Sequence, residues 1–402
     1  RREEILRPRL TAKESLVSLY LSKRREWVLQ SEIRNMSIEC ERVGGINLSQ
    51  GVCDTEVPEL VRRAACQAVE DGYNTYTRYD GLAELRDAIA AKHRRFHGFE
   101  TDPDTEVVVS AGATGAFYCA CLALLNPGDE VILFEPYYGY HLNTLVAAEA
   151  VPAYVRLKDG TWTFSYEDLE KAATSRTRAI MINTPANPSG KVFTRAELEA
   201  VVAFAAKYDL FVFTDEIYEH FIYDGGVHVS PATIPGMKER TITISGLSKT
   251  FSITGWRIGY CICDARWAQT IGYFNDLVYV CAPAPLQMAV AKGMIQLEDG
   301  YYRSLMREFL LKRDRICAAL TAAGLKPHIP QGAYYVLADI SMLPGRSGKD
   351  RVMHLLRETG VAAVPGEAFY VKGGSSLARF CFAKNDRELD EACNRLRRLS
   401  IR

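Results

Sequence analysis

The sequence predicts an α/β protein: a large domain built on a mostly parallel sheet between helices, joined to a smaller α+β domain. Three observations carry this. A chain of 402 residues is too long for one ordinary hydrophobic core. From about residue 70 to residue 290, short apolar, β-branched runs alternate with longer helical ones, the pattern of an α/β layer. Beyond Val290 the texture changes to a long charged helix followed by short strands, which reads as a second domain.

Residues 1–34 are basic with helical periodicity at Val17, Leu21 and Val28, and read as an N-terminal helical arm lying on a partner subunit. Residues 35–69 are assigned to the N-terminal part of the small domain, with a short apolar segment at Ile46 to Leu48. Residues 70–289 form the large domain. Its strands are Val107 to Ser110, Val131 to Phe134, Ala179 to Asn183, Leu210 to Asp215, Thr241 to Ser245 and Ile258 to Cys263, short and apolar as strands covered on both faces should be. Between them, Asn126-Pro127-Gly128-Asp129 is a turn, and Thr194 with Glu197 forms a capping box opening the helix toward Tyr208. Residues 290–402 are the small C-terminal domain: a helix through Lys312 and Arg315, then strands around Tyr334 to Ala338 and Ala378 to Phe382.

The chain carries 49 basic and 49 acidic residues, so nothing draws it as a whole to nucleic acid or an anionic membrane, and small molecules are the expected partners. No apolar stretch approaches the roughly 18 to 20 residues that span a bilayer. The opening Arg1-Arg2-Glu3-Glu4 lacks the pattern of a signal peptide, and the missing initiator Met leads us to expect a trimmed or partly ordered N-terminus. Eleven cysteines without a CxxC pair read as reduced, buried thiols of a cytoplasmic protein. The seven histidines are scattered, without a metal-type pair, and receive no catalytic or ligand role; no metal is expected.

In an open α/β sheet, ligands bind beyond the carboxyl ends of the strands, so polar residues just after strands are the first candidates. The Val107 strand runs into Ala111-Gly112-Ala113-Thr114-Gly115-Ala116 and then a helix from Phe117 to Leu125. Free N–H groups there make a phosphate-type anion site, with plain turn geometry as the alternative. The next strands end in Asn183 to Gly190 and in Thr214-Asp215-Glu216-Ile217-Tyr218. Asp215 follows the apolar run Phe211-Val212-Phe213, where a carboxylate needs a cationic partner unless it caps a helix. The run from Ser245 to Tyr260 decides between these readings. Lys249 lies among apolar residues that would lower the pKa of its amine, and Ser248 with Arg257 supplies phosphate-holding groups beside it.

These segments together resemble the fold type I pyridoxal-phosphate enzymes, specifically the class I/II aminotransferases. The resemblance runs in order through Gln50-Gly51, Tyr76 to Arg86, Ala111 to Ala116, Glu135-Pro136-Tyr137-Tyr138, Asn183 to Gly190, Asp215 to Tyr218, Ser248 to Tyr260, and Arg379-Phe380-Cys381-Phe382. It implies a seven-stranded type of sheet and a pyridoxal 5'-phosphate cofactor held as a Schiff base on Lys249, the residue that also moves the substrate proton. It implies that Asp215 pairs with the pyridine nitrogen, that Tyr218 and Asn187 hydrogen-bond the ring oxygen, and that Tyr138, with Tyr137 as alternative, stacks on the ring. The phosphate falls to Gly112, Ala113, Thr114, Ser248 and Arg257, and to Tyr76 from the other subunit of a homodimer with shared sites. Arg379 takes the substrate α-carboxylate, and the backbone of Gly51 lies against the substrate.

The expected reaction moves an amino group between an L-amino acid and a 2-oxo acid; a lyase or cyclase of the aminocyclopropane-carboxylate-synthase kind is the alternative on the same residues. Two departures from the family pattern stand out. Val52-Cys53-Asp54-Thr55-Glu56 replaces its usual loop, with Cys53 read as an apolar filler, and Gly246 stands where many relatives carry a phosphate-binding serine. Tyr20, Tyr73, Tyr79, Phe117, Tyr140 and Tyr260 offer aromatic surface for a side-chain pocket, and Arg78 is a candidate second arginine for a dicarboxylate.

Overall fold

Seven strands form the central sheet. In spatial order they are Val107–Ala111, Ile258–Ile262, Thr241–Gly246, Phe211–Asp215, Thr177–Asn183, Glu130–Glu135 and Val151–Arg156. The computed structural model describes Ser22 and residues 31–399, so the expected arm over residues 1–34 lies outside the described residues except for Ser22 and its last four positions. All neighbours in the sheet are parallel except Ile258–Ile262, which runs antiparallel to both strands beside it. That reversal brings Arg257, immediately before its strand, to the edge where the other strands end. Ala111 pairs with Ile258, Gly246 with Gly259, and Asn183 with Asp215.

The six strands read from the sequence are present with ends shifted by one or two residues. The seventh, Val151–Arg156, was not expected. It lies at the sheet edge with Pro152 inside it and Val151 exposed, so it lacks the continuous apolar run of its neighbours. A second difference concerns the helix after Val107–Ala111. It begins at Gly112, not Phe117, so the N–H groups of Gly112, Ala113 and Thr114 are those of a first helical turn without internal acceptors.

Two further sheets complete the fold. Val364–Pro365, Leu377–Cys381, Tyr335–Asp339 and Lys326–His328 form an antiparallel sheet of four strands, and Ile46–Asn47 pairs in parallel with Val361–Ala362. One core joins Met36, Leu48 and Tyr335 to Ile316, Val352 and Leu389, and reaches Tyr218 and Phe221 beyond the end of a central strand. The helices Glu59–Glu70 and Ala284–Gln296 pack on each other, and Val61 and Val290 share a core with Val107 and Ile258. Packing sets both helices with the central sheet, whereas the divisions at residues 69 and 290 had counted the first, and most of the second, with the small domain. Their apolar faces are continuous with the large core, a relation that composition does not encode.

Candidate active site

The strand ends converge on a cavity of about 400 Å³. Ala113, Thr114, Tyr138, Asn187, Asp215, Tyr218, Ser248, Lys249 and Arg257 line it, joined by Arg34, Gln50, Val52, Phe117, Tyr140 and His141. The segments contributing these groups are far apart in sequence, and the parallel topology delivers them to one edge.

Lys249 follows the strand Thr241–Gly246. Its Nζ donates to the carbonyl of Gly51 at 3.1 Å and stands 5.8 Å from the ring centre of Tyr334. Burial pushes the amine below its ordinary pKa, because protein groups replace the water that would solvate the ammonium form. Gly51 is fitted to this contact: a Cβ there would stand 2.0 Å from the hydroxyl of Tyr335. That hydroxyl shares a hydrogen bond of 2.9 Å with the hydroxyl of Tyr218, and burial raises both phenols above their usual range.

Asp215 ends its strand with one carboxylate oxygen 2.9 Å from Nε2 of His141 and the other accepting from the backbone N–H of Ile217 at 3.2 Å. The side-chain partner of this buried carboxylate is thus a histidine. His141 is one of the seven histidines that the sequence left without a catalytic or ligand role, and the structure places it in the cavity against Asp215. His141 lies three residues after Tyr138 at the start of the helix Gly139–Ala147, one helical turn along, and that spacing was the signal available in the sequence.

Arg257 has φ of 58°, and its guanidinium occupies the space over Gly112. A Cβ on Gly112 would stand 2.2 Å from its Nη2, and Gly112 itself has φ of +79°, so clearance and backbone both require glycine. Gly246 has a similar reason: a Cβ there would approach the carbonyl of Ile258 to 2.9 Å, on the closely paired strand.

Arg379 lies one layer behind the cavity, 1 % exposed. Its Nη1 donates to the side-chain oxygen of Asn187 at 2.8 Å and its Nη2 to the carbonyl of Ser49, while the ring of Tyr335 faces the guanidinium at 4.4 Å. Its Nε has no protein acceptor among the described residues. A buried guanidinium with an unmet donor beside a cavity is a site for an anion.

Some candidates are elsewhere. Tyr76 is 81 % exposed and outside the cavity. Arg78 is not a cavity residue, since its Nε donates to Asp80 at 2.9 Å and the pair forms an ion bridge. Of the pair Tyr137 and Tyr138, Tyr137 packs on Tyr154 and Tyr138 lines the cavity. Of the aromatic candidates, Phe117 and Tyr140 line the cavity, whereas Tyr260 is interior, bonded to Lys92, and Tyr79 packs on Tyr273; Tyr20 lies outside the described residues. Cys53 is buried beside Thr55, and desolvation raises its thiol.

The histidines are less scattered than their sequence positions suggest. His93, His97, His220 and His228 gather behind the turn that carries Asp215, with Lys92, Glu216 and Glu219. Ligand-type atoms of His97, Glu216 and His228 lie within 4.8 Å of one another, and both histidines bond carboxylates at 2.7 Å, His97 to Glu219 and His228 to Glu216.

A family model described as aminotransferase class I and II matches residues 43–396. The chain belongs to this family. Among solved structures, N-succinyldiaminopimelate aminotransferase from Mycobacterium tuberculosis is 37 % identical with a TM-score of 0.91, covering 95 % of this chain and 100 % of that one. YbdL of Escherichia coli, identified as a methionine aminotransferase, is 31 % identical with a TM-score of 0.91 over the same shares of the two chains. Kynurenine–oxoglutarate transaminase 3 of Mus musculus is 36 % identical over 86 % of this chain and 83 % of its own. The protein is accordingly an aminotransferase of fold type I, and of the two reaction classes left open by the sequence its relatives carry transamination. Among the described residues, no helix is long and apolar enough to cross a membrane.

Proposed function

We propose that this aminotransferase carries pyridoxal 5'-phosphate in the cavity beneath Lys249 and exchanges the amino group of a small L-amino acid with a 2-oxo acid. The observation that carries the proposal is a buried lysine of lowered pKa in a cavity that also holds a carboxylate and a phosphate-type donor set. The residues fit the cofactor. Asp215 suits a protonated ring nitrogen, and the arginine cradle over Gly112, with Ser248 and the first-turn N–H groups of Ala113 and Thr114, suits its phosphate. When bound, the cofactor supplies an electron-withdrawing ring that stabilises charge developing at the substrate's α-carbon.

The chain's own groups do the rest. Lys249, held by the Gly51 carbonyl, is the amine that would attach the cofactor and, once displaced by the incoming amino group, would take the proton from the substrate's α-carbon. Its lowered pKa leaves more of it unprotonated near neutral pH than an exposed lysine would be. His141 fixes the orientation of Asp215 and keeps its charge directed at the ring nitrogen. Tyr218 and Asn187 offer polar groups to the ring oxygen, and Tyr138 gives the ring a face to lie on. Arg379, through its free Nε and the Asn187 contact, receives the α-carboxylate, which orients the α-hydrogen toward Lys249.

We place Tyr76 in the neighbouring site of a homodimer. Its exposure, with that of Leu277 and Tyr273, suits an apolar interface. The free thiols, most of them buried, favour a reducing, cytoplasmic setting.

Borohydride reduction of the purified holoenzyme followed by peptide mapping tests the reading. A pyridoxyl group on Lys249, together with one equivalent of oxo acid released by an amino acid donor without ammonia, is the expected result. Label on another lysine, or release of ammonia, would refute it.

A further inference from the structure

The cavity holds more positive charge than the groups assigned so far require. Its lining includes Arg34, Lys249 and Arg257 against one carboxylate, Asp215, which is bonded to His141. On the reading above, Lys249 and Arg257 serve the cofactor, and Arg379 behind Asn187 serves the α-carboxylate. Arg34 has no task.

Its position is nevertheless fixed. It lies in the first turn of the helix Glu32–Arg42, capped by Ser31, whose hydroxyl accepts from the N–H of Ile33 at 3.2 Å. Met36, two residues on and on the opposite side of the helix, is fully buried and anchors it. The carbonyl of Ile33 accepts from the hydroxyls of Ser37 at 2.9 Å and Ser49 at 3.5 Å, and the carbonyl of Ser49 in turn accepts from Arg379. A short chain of bonds thus ties the turn bearing Arg34 to the buried arginine. The acid nearest in sequence, Glu32, is committed to Lys349 at 2.8 Å and Asn35 at 2.8 Å. Among the described residues, no carboxylate pairs with the Arg34 guanidinium, which is exposed at the cavity while Arg379 is buried. Val52 and Tyr140, also in the lining, give apolar surface for a methylene chain.

We propose that Arg34 binds a second anionic group of the substrate, so that the favoured amino acids and oxo acids carry a carboxylate remote from the reacting carbon. The proposal rests on the reading of this cavity as the amino-acid site. Arg379 takes the carboxylate beside the reacting carbon; Arg34 takes the distal one. Because Arg34 is exposed, its contribution is that of a solvated, charge-assisted hydrogen bond, on the order of tenfold in specificity, and it weakens as salt rises.

The test uses holoenzyme, wild type and Arg34→Gln, with glutamate and 2-aminoadipate as acidic donors and glutamine and norleucine as neutral ones of similar length. The quantity read is the ratio of kcat/KM for acidic over neutral donors. The wild type should favour the acidic donors, Arg34→Gln should lower the ratio about tenfold, mainly through KM, and Arg34→Lys should recover part of it. In the wild type the ratio should also fall between low and high ionic strength. A proportional loss for all donors, or an unchanged ratio, would overturn the assignment and leave Arg34 a residue that merely holds its helix. Failure of the wild type to transaminate any donor would overturn the parent reading instead.

Discussion

Gly51→Ala is the smallest change that should disable the site. The added Cβ would stand 2.0 Å from the Tyr335 hydroxyl and 3.0 Å from its ring carbon Cζ. Ordinary non-bonded contact needs roughly 3.2 Å or more, so one group must retreat by about 1.2 Å. Tyr335 cannot yield alone, since its hydroxyl bonds Tyr218 and its ring covers the Arg379 guanidinium. Movement of residue 51 instead takes away the carbonyl that accepts from Lys249. A misplacement of about 1 Å near the chemistry costs about a hundredfold, or about 2.7 kcal/mol of transition-state stabilisation. Overpacking should separately lower stability by about 1 to 3 kcal/mol. Steady-state kcat/KM with a good donor, alongside denaturant unfolding, measures both. The double variant Gly51→Ala/Tyr335→Phe removes the nearest clashing atom and should recover much of the stability. Activity of Gly51→Ala within threefold of wild type, or a double variant no more stable than the single one, would refute the reasoning.

Other consequences are open to measurement. His141→Leu removes the side-chain partner of Asp215 and should lower kcat/KM by about 10- to 100-fold, the range for losing a hydrogen bond to a buried charge; a change under twofold would show that Asp215 keeps its orientation without it. Reductive methylation followed by mass spectrometry across pH should find Lys249 of the cofactor-free protein reacting at lower pH than surface lysines, as its lowered pKa requires; titration together with the surface lysines would contradict this. His220, packed between Phe96 and Tyr302, has its pKa pushed by burial down from 6.5 to about 3. Between those values the unfolded chain binds a proton that the native protein does not, so stability falls as pH drops through that window. His220→Gln should flatten the dependence of unfolding free energy on pH by about one proton between pH 4 and 6, and an unchanged slope would count against a neutral buried imidazole.

How much of this was legible in the sequence depended on burial. Strands such as Phe211–Asp215, covered on both faces, read as unbroken apolar runs and were found, together with the polar residues that follow them. Val151–Arg156 escaped because an edge strand is wet on one side and tolerates Pro152. Lys249 and Asp215 were legible because each pairs a chargeable group with an apolar approach. His141 and Arg34 were not read: the spacing of His141 one helical turn beyond Tyr138 was passed over, and Arg34 comes from a helix remote in sequence from every central strand, brought to the cavity only by the fold. The helices Glu59–Glu70 and Ala284–Gln296 were assigned by position, whereas their partner is the large core.

The turn Asp215 to Glu219 shows why a site of this kind brings a charged layer behind it. Asp215 and Tyr218 face the cavity, while Glu216 and Glu219 face away. Glu216 accepts from Ser230 at 2.8 Å and Thr214 at 3.1 Å and bonds His228; Glu219 is ion-paired with Lys92, bonded to His97 and accepts from Ser245 at 2.9 Å. Burial would drive the Glu219 carboxyl up, but the Lys92 ammonium holds it well below its usual range. Buried ion pairs add little net stability, because desolvation offsets most of their attraction. What they add here is position. Ser245 is part of the strand that leads to Lys249, so the bond from Ser245 to Glu219 couples the strand of the lysine to the turn of the aspartate. Catalytic groups must be held to roughly 0.5 Å. A purely apolar layer would pack this turn without fixing its rotation, whereas two carboxylates, each bonded in several directions, leave Asp215 and Tyr218 one orientation toward the cavity.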